Sequence, residues 1–363
     1  MPSKKILFFH RFLALIFPLV MFESCCVGPV LTPSPLPETK IIDMHCHTAG
    51  IGAGNSGCFI SKDMQESYKF DIYLEAFGVN KEQVDEHGDA LIVKKLSEKL
   101  ALSQHVDSAI VLAMDGVINE KGELDRKKTE VYIPNDFVFK ETNKYPNLHF
   151  GASINPYRKD AIERLENMKA KGCKLIKWLP SIMNIDPSDK KIIPFYKKMA
   201  ELKLPLLSHT GDECSFTHAH NTLGDPALLE LPLTLGVTVI AAHVATTGKN
   251  EGEDNFKRLV TLFNKYPHLY ADISSLTQIN KHGHLSDILK IPRIHKHLLY
   301  GSDFPLISTP LVSSCFFPLR LSPWKMIELG QVDNPWDHDV LLKQSLGLPT
   351  EIFARSRKLF FSE

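Results

Sequence analysis

No sign of charge dominates this 363-residue sequence: 42 basic side chains stand against 42 acidic ones. A broad basic surface for nucleic acid is thereby excluded, because covering phosphates needs a surplus of Lys and Arg. Cysteine is sparse, seven in all. Only Cys25 and Cys26 stand close together, so neither a disulfide scaffold nor a zinc ribbon is indicated. No uninterrupted apolar run reaches the roughly 20 residues of a membrane-spanning helix. There is no Gly-x-Ser-x-Gly elbow, which argues against a serine hydrolase. A hydrophobic content of 44% with 23% charged residues excludes a disordered chain.

At the amino terminus, Lys4 and Lys5 precede an apolar run from Ile6 to Phe22 broken by His10, Arg11 and Pro18. A basic front followed by a short apolar stretch is the pattern of a signal peptide, expected here over residues 1–24. An uncleaved anchor or a mis-assigned start is the competing reading. The segment Phe22-Glu23-Ser24-Cys25 resembles a bacterial lipobox through Ser24 and Cys25, and departs from it at Phe22 and Glu23. Residues 25–40 include GPVLTPSPLP and read as a proline-rich tether. The expectation is an exported protein of the cell envelope, held to the membrane by a lipid on Cys25 or simply secreted into the periplasm.

From Ile41 onward, short apolar runs alternate with helical stretches. The runs are Ile41–His47, Ser108–Ala113, His149–Ile154, Lys174–Leu179, Leu204–His209, Val237–His243, Leu269–Ile273 and Leu298–Asp303. Their spacing is that of a strand, a helix and two turns. Between them, residues 160–171 carry Ala161, Leu165 and Met168 on one helical face, and 191–202 and 255–266 behave similarly. The pattern predicts a (β/α)8 barrel over residues 41–363, closed by C-terminal helices, with a doubly wound open sheet as the rival. Residues 48–107 are too long for one connection. They hold a glycine-rich loop and a helical stretch from about Lys81 to Gln104, and read as an insertion carrying specificity or a lid. No further internal repeat is visible.

Polar residues terminate several of these runs. The first ends Asp43-Met44-His45-Cys46-His47. Residues i and i+2 of a strand share a face, so His45 and His47 project together and can converge on a cation. The fifth run closes at His209, the sixth at His243 and the eighth at Asp303. All point from one rim of the sheet, the active face of a barrel. Four imidazoles and a carboxylate at one rim point to a divalent metal such as zinc.

This constellation resembles the amidohydrolase superfamily, and more closely its amidohydrolase-related (family 2) branch of metal-dependent hydrolases. The residues carrying the resemblance are His45-Cys46-His47 after Ile41-Ile42-Asp43, then SHTGDE around His209, AAHVATTG around His243, YGSDFP around Asp303, and KWLPSIMNIDP from Lys177. It spans roughly residues 41–306. The resemblance implies that His45, His47, His209 and Asp303 hold a metal, with one ion as the default. It implies that Asp303 takes the proton from an attacking water. His243 becomes either a ligand of a second metal or a hydrogen-bonding partner of that water. Lys177 has three readings: a carbamylated bridge between two metals, a cation for a substrate carboxylate or phosphate, or a surface lysine with the strand register off by one.

Asp43 either orients a ligand imidazole or is an ordinary buried, backbone-bonded carboxylate. Glu213 and Asp212, close after His209, are secondary candidates for orienting a ligand or binding substrate. Gly52 to Gly57 spells G-x-G-x-x-G, but it is set off from the strand and lacks the following acid of a dinucleotide site, so a flexible loop over the site is expected instead. His218-Ala219-His220 lies in a loop and is expected to be solvated, and Cys46 to be a packed core thiol. The implied function is hydrolysis of an amide, lactone or ester carbonyl of a small molecule by metal-activated hydroxide. The alternatives are a metal-dependent decarboxylase of an aromatic or unsaturated carboxylic acid, with Lys177 or Arg158 holding the carboxylate, and a non-catalytic barrel lipoprotein. Substrate identity and oligomeric state have no readable signal.

Overall fold

The computed structural model describes residues 33–361. The expected signal segment and Cys25 lie outside the described residues, as does the first part of the tether. Among the described residues no helix is long and apolar enough to cross a membrane. Ser34 and Pro35 are bound to the C-terminal helices through their carbonyls, which accept from Gln344 Nε2 (2.6 Å) and from the hydroxyl of Thr350.

All eight expected strands form. They are β1 (Ile41–His47), β2 (Val106–Leu112), β3 (Leu148–Gly151), β4 (Ile176–Trp178), β5 (Leu206–Ser208), β6 (Val239–Ala241), β7 (Leu269–Asp272) and β8 (Leu298–Leu299). They pair in parallel as two arcs, β1-β2-β3 and β4-β5-β6-β7-β8. Backbone bonds close both seams. Ala152 N donates to Leu175 O (3.0 Å) and Lys177 N to Ala152 O (2.7 Å) between β3 and β4. Asp303 N donates to His45 O (2.8 Å) and His47 N to Phe304 O (2.8 Å) between β8 and β1. Closure leaves no strand edge, so the open doubly wound sheet is excluded.

Alternation along the strands sorts side chains into two cores. Met44, Ile110, Leu112, Leu175, Leu207, Ile240 and Leu299 pack with one another inside the barrel. The residues between them, such as Leu206, Val239, Ala241 and Leu269, join the larger core under the helices. Helix α6 (Ala161–Ala170) buries Ala161, Leu165 and Met168, the face its periodicity marks. The carboxyl-terminal helix α13 (Thr350–Phe361) lies against β1 and β8, with Ser356 Oγ donating to Tyr300 O (3.0 Å).

The insertion departs from expectation in two ways. The single helical stretch from Lys81 is two helices, α3 (Lys81–His87) and α4 (Ala90–Ala101), after the shorter α1 (Lys62–Glu66) and α2 (Lys69–Phe77). Gly88 breaks it at φ 79°, where its Cα faces Gly54 so closely that a Cβ on either would meet the other's backbone. The glycine-rich loop is also tied down. The buried carboxylate of Asp89 accepts from Ile51 N (2.9 Å), Gly52 N (2.9 Å) and the Ser56 hydroxyl. Finally, Phe59–Ile60 pairs antiparallel with Val131–Tyr132 of the β2–β3 connection, which lays the insertion across the mouth of the barrel.

Candidate metal centre

The first strand reaches the rim through an irregularity. Asp43 pairs with Ala109 and Cys46 with Val111, three steps on β1 against two on β2. This bulge resets the alternation. Met44 therefore joins the inner core, His45 and His47 face the mouth, and Cys46 packs outward as a core thiol. It also parts Asp43 from the face of His45. Asp43 accepts from His45 N (3.1 Å), Ser302 N (2.9 Å), Ser302 Oγ (2.5 Å) and Trp336 Nε1 (2.9 Å), and touches no imidazole. Of its two readings the structural one holds. It joins β1 to β8 and to helix α12 (Pro335–Ser345). Burial pushes its carboxyl up to about 6 against the pull of those donors.

The residues expected at the rim do come together. His45 Nε2 lies 3.1 Å from His47 Nε2, and these atoms lie 3.5 and 3.3 Å from Asp303 Oδ1. His243 Nε2 approaches Asp303 Oδ2 at 3.9 Å. The rings of His45 and His209 both pack on that of His243. Lys177, placed in the interior by its period-2 partner Leu175, is buried and puts Nζ 3.1 Å from His45 Nε2. Its reading as a surface lysine in a shifted register is thereby overturned.

Two observations fit this group to a cation. His209 Nε2 is buried without any hydrogen-bond partner, a cost that a ligand would relieve. His45, His47 and Asp303 each present one donor atom to a common point, and nitrogen and carboxylate donors in such a set suit a divalent ion. The imidazoles are prepared for it. Burial, helped by Lys177, keeps His45 below its ordinary pKa; burial takes His209 down to about 4, and burial with Lys281 takes His243 well below. Each is therefore neutral, as a ligand must be. Burial works against the Asp303 carboxylate, but its close approach to His243 and a hydrogen bond from His47 hold the acid well below its usual range. Burial lowers Lys177 to about 8, with Asp272, Asp303 and Glu213 pulling the other way.

The orienting acid is one that the sequence reading missed. Asp272, the last residue of β7, sets Oδ2 2.8 Å from His45 Nδ1. Its other oxygen accepts from His243 N (3.0 Å), Ser274 N (3.0 Å) and the Ser274 hydroxyl. Ser274 Oγ lies 2.8 Å from His243 Nδ1. One carboxylate thus aims two of the four imidazoles, the usual support of a ligand histidine. A signal existed: Leu269–Asp272 is an apolar run ending in an acid at the same rim. His45, His243 and Asp272 also lie close enough to hold an ion, but the oxygens of Asp272 already accept four contacts.

The backbone around these groups is strained. His243, Val244 and Ala245 hold φ of 58, 51 and 49°, and Ser275 and Asp303 hold 60 and 62°. Non-glycine residues pay roughly 1–3 kcal/mol each for such conformations, which persist mainly at functional sites. Glu213 is the counterpart of Asp272 for His209, with Oε2 3.5 Å from Nδ1 and Oε1 accepting from Ser215 N (2.6 Å). Asp212 is bonded through its backbone instead, its N–H donating to Thr247 Oγ1 (2.9 Å) and its carbonyl accepting from the same hydroxyl (3.2 Å). His218 and His220 are exposed and stand apart from the centre, His220 beside Asn184. Arg158 is held by Asp115 in a two-point pair of 2.5 and 2.6 Å, so it is not free to take a substrate carboxylate.

A family model described as amidohydrolase matches residues 42–321. No curated protein matches the sequence. Among solved structures, an uncharacterized TIM-barrel protein of Bordetella bronchiseptica superposes with a TM-score of 0.51 at 15% identity, covering 85% of this chain and 99% of its own. A probable 2-pyrone-4,6-dicarboxylic acid hydrolase of Acinetobacter baumannii gives 0.49 at 14% identity, with 87% and 100% covered. The 5-carboxyvanillate decarboxylase of Sphingomonas paucimobilis gives 0.45 at 10%, with 88% and 98% covered. The first of these shares the barrel fold.

Proposed function

Taking as its premise that the chain belongs to the amidohydrolase family, we propose that it is a metal-dependent hydrolase of a small amide, lactone or ester. The observation that carries this is the meeting of His45 Nε2, His47 Nε2 and Asp303 Oδ1 within 3.5 Å of one another, beside a buried and partnerless His209 Nε2. His45, His47, His209 and Asp303 would hold one divalent ion, for which three imidazoles and a carboxylate favour zinc. Such an ion, when bound, acidifies a coordinated water and polarises a carbonyl.

The side chains around it supply the rest. Asp303 accepts the proton of the attacking water and returns it to the leaving group. His243 faces the same point across 3.9 Å and hydrogen-bonds the water or the developing oxyanion. A second ion beside His243 is disfavoured because Asp272 is already saturated by His45, His243 and Ser274. Lys177 places a buried amine at the floor. Its Nζ shares the lone pair of His45 that an ion needs, so ion binding requires Lys177 to lose its proton, become carbamylated or swing aside. Of the two cations that the decarboxylase reading names for a substrate carboxylate, Arg158 is committed to Asp115, which leaves Lys177 alone for that role.

Elemental analysis of the purified protein, followed by product analysis on ester and lactone panels in labelled water, tests the proposal. One bound ion with label in the acid product is expected. Release of carbon dioxide without water addition would replace the hydrolase by the lyase, and a metal-free protein would return the chain to a binding role. The first 25 residues support a further reading, export with lipid anchoring at Cys25. Cys25→Ser protein in the soluble fraction is then expected, and unprocessed cytoplasmic protein would refute it.

A further inference from the structure

Above the ligand set the chamber changes character. Its roof and upper wall carry Met64, Phe70, Leu74 and Phe77 from the insertion, Val131 from the β2–β3 connection and Phe216 from the loop after β5. These come from three separate stretches of chain, yet they are bound together. Phe59–Ile60 pairs with Val131–Tyr132. Glu130, next to Val131, accepts from Thr217 N (2.9 Å) and His218 N (2.7 Å), which fastens the loop of Phe216 to the same strand. The whole chamber, ligand set included, measures about 150 Å³ and opens to solvent; for scale, an apolar cavity of roughly that volume takes one benzene ring.

Charges in this space sit low. Among the described residues no arginine lines the chamber. Lys177 is at the floor, against His45. Lys281 is buried outside the lining, in the field of Asp303 and Glu213. Glu213 adds a carboxylate to the wall. Thr48, Tyr73 and Ser215 add hydroxyls to the lining, but Lys177 at the floor is its one lysine or arginine among the described residues, so an anionic group at the far end of a substrate would be buried without a counter-charge.

We infer that the chamber selects compact, uncharged carbonyl compounds, with one apolar group about the size of a single six-membered ring above the reacting carbonyl, and excludes those with a distal carboxylate. The inference rests on the hydrolase reading for the reacting carbonyl, but the preference of the roof can be read without turnover. Benzohydroxamic acid and its 4-carboxy derivative share a chelating group and differ only in the distal charge. Titrated calorimetrically into zinc-loaded protein, the uncharged compound is expected to bind at least about tenfold more tightly, the least that an unpaired buried charge costs. Equal affinity, or a preference for the carboxylated compound, would overturn the inference.

Met64→Lys places a cation in the roof without touching a ligand, and the ratio is expected to shrink or reverse. An unchanged ratio in the folded variant counts against the roof as the discriminator. If that variant fails to fold, the wild-type ratio still decides. Phenyl acetate and 4-carboxyphenyl acetate provide the catalytic arm. Hydrolysis of neither, with the hydroxamate preference intact, removes the hydrolase reading and upholds the chamber. Hydrolysis of both at equal kcat/KM removes the chamber and upholds the hydrolase.

Discussion

The floor and the roof of the chamber are built in different ways. The floor takes its polar side chains from the ends of six strands, from His45 on β1 to Asp303 after β8, and three of its four imidazoles are aimed by a further group, His45 by Asp272, His243 by Ser274 and His209 by Glu213. Its backbone is held in left-handed conformations at His243 and Asp303. The roof comes largely from one insertion, is apolar, and is fixed by a two-residue strand pair and the carboxylate of Glu130. The floor therefore depends on closure of the whole barrel, while the roof depends on local packing. Changes below should cost metal or chemistry without altering what fits, and changes above should do the reverse.

The largest effect is expected at the floor. His45→Ala or His47→Ala should remove metal and activity together while leaving the fold largely intact, since neither belongs to the apolar cores. Full metal content in either variant would break the ligand assignment. Asp303→Asn keeps an oxygen for the ion and loses the base. Activity per bound metal should fall by roughly 10²–10⁴-fold, the ordinary worth of general base assistance. Near-normal activity per metal would move the proton to His243 or Glu213.

Asp272→Asn should weaken metal affinity by roughly 10–100-fold, as loss of an orienting carboxylate does, with substrate selectivity unchanged. Gly301→Ala sharpens the same point from the backbone side. A Cβ there would lie 2.7 Å from His45 Cβ, so the imidazole must shift and metal affinity should fall although no ligand is altered. Phe70→Ala is the converse. Metal content should stay, while kcat/KM for ring-bearing substrates falls more than for small ones. Loss of metal in Phe70→Ala would dissolve the distinction between the two regions.

The smallest effect is far from both. His149 on β3 is half-buried against Phe361 and beside Lys174, and burial takes its pKa from 6.5 down to about 4. The unfolded chain binds that proton first, so stability present above pH 6.5 should be lost as pH falls toward about 4. Denaturant midpoints for His149→Gln should show a flatter acid limb than wild type over that window. Parallel curves would mean that the histidine does not contribute.

Much of the floor was legible because strand ends announce themselves. His45, His47, His209, His243 and Asp303 each close an apolar run, and period-2 alternation puts Lys177 on one face with Leu175, which the closed barrel turns inward. The misreadings have local causes. The bulge between Asp43 and Cys46 depends on pairing with β2, which no run of residues reveals, and period-2 spacing alone would put Asp43 on the face of His45. Asp272 ends its run as plainly as the others, but its role needs His45, 227 positions away. The break at Gly88 follows from its approach to Gly54, and helical periodicity is silent about such contacts.

The sequence alone determined the βα alternation, the eight strands and the residue types at their ends, because burial periodicity and chain spacing are local properties. The bond of Arg158 to Asp115, the empty valence of His209, the aiming of His45 by Asp272 and the apolar ceiling over the ligands were decided by tertiary structure. Each is a meeting of side chains from separate stretches, and their distances are set by packing in the folded chain, which no local pattern carries.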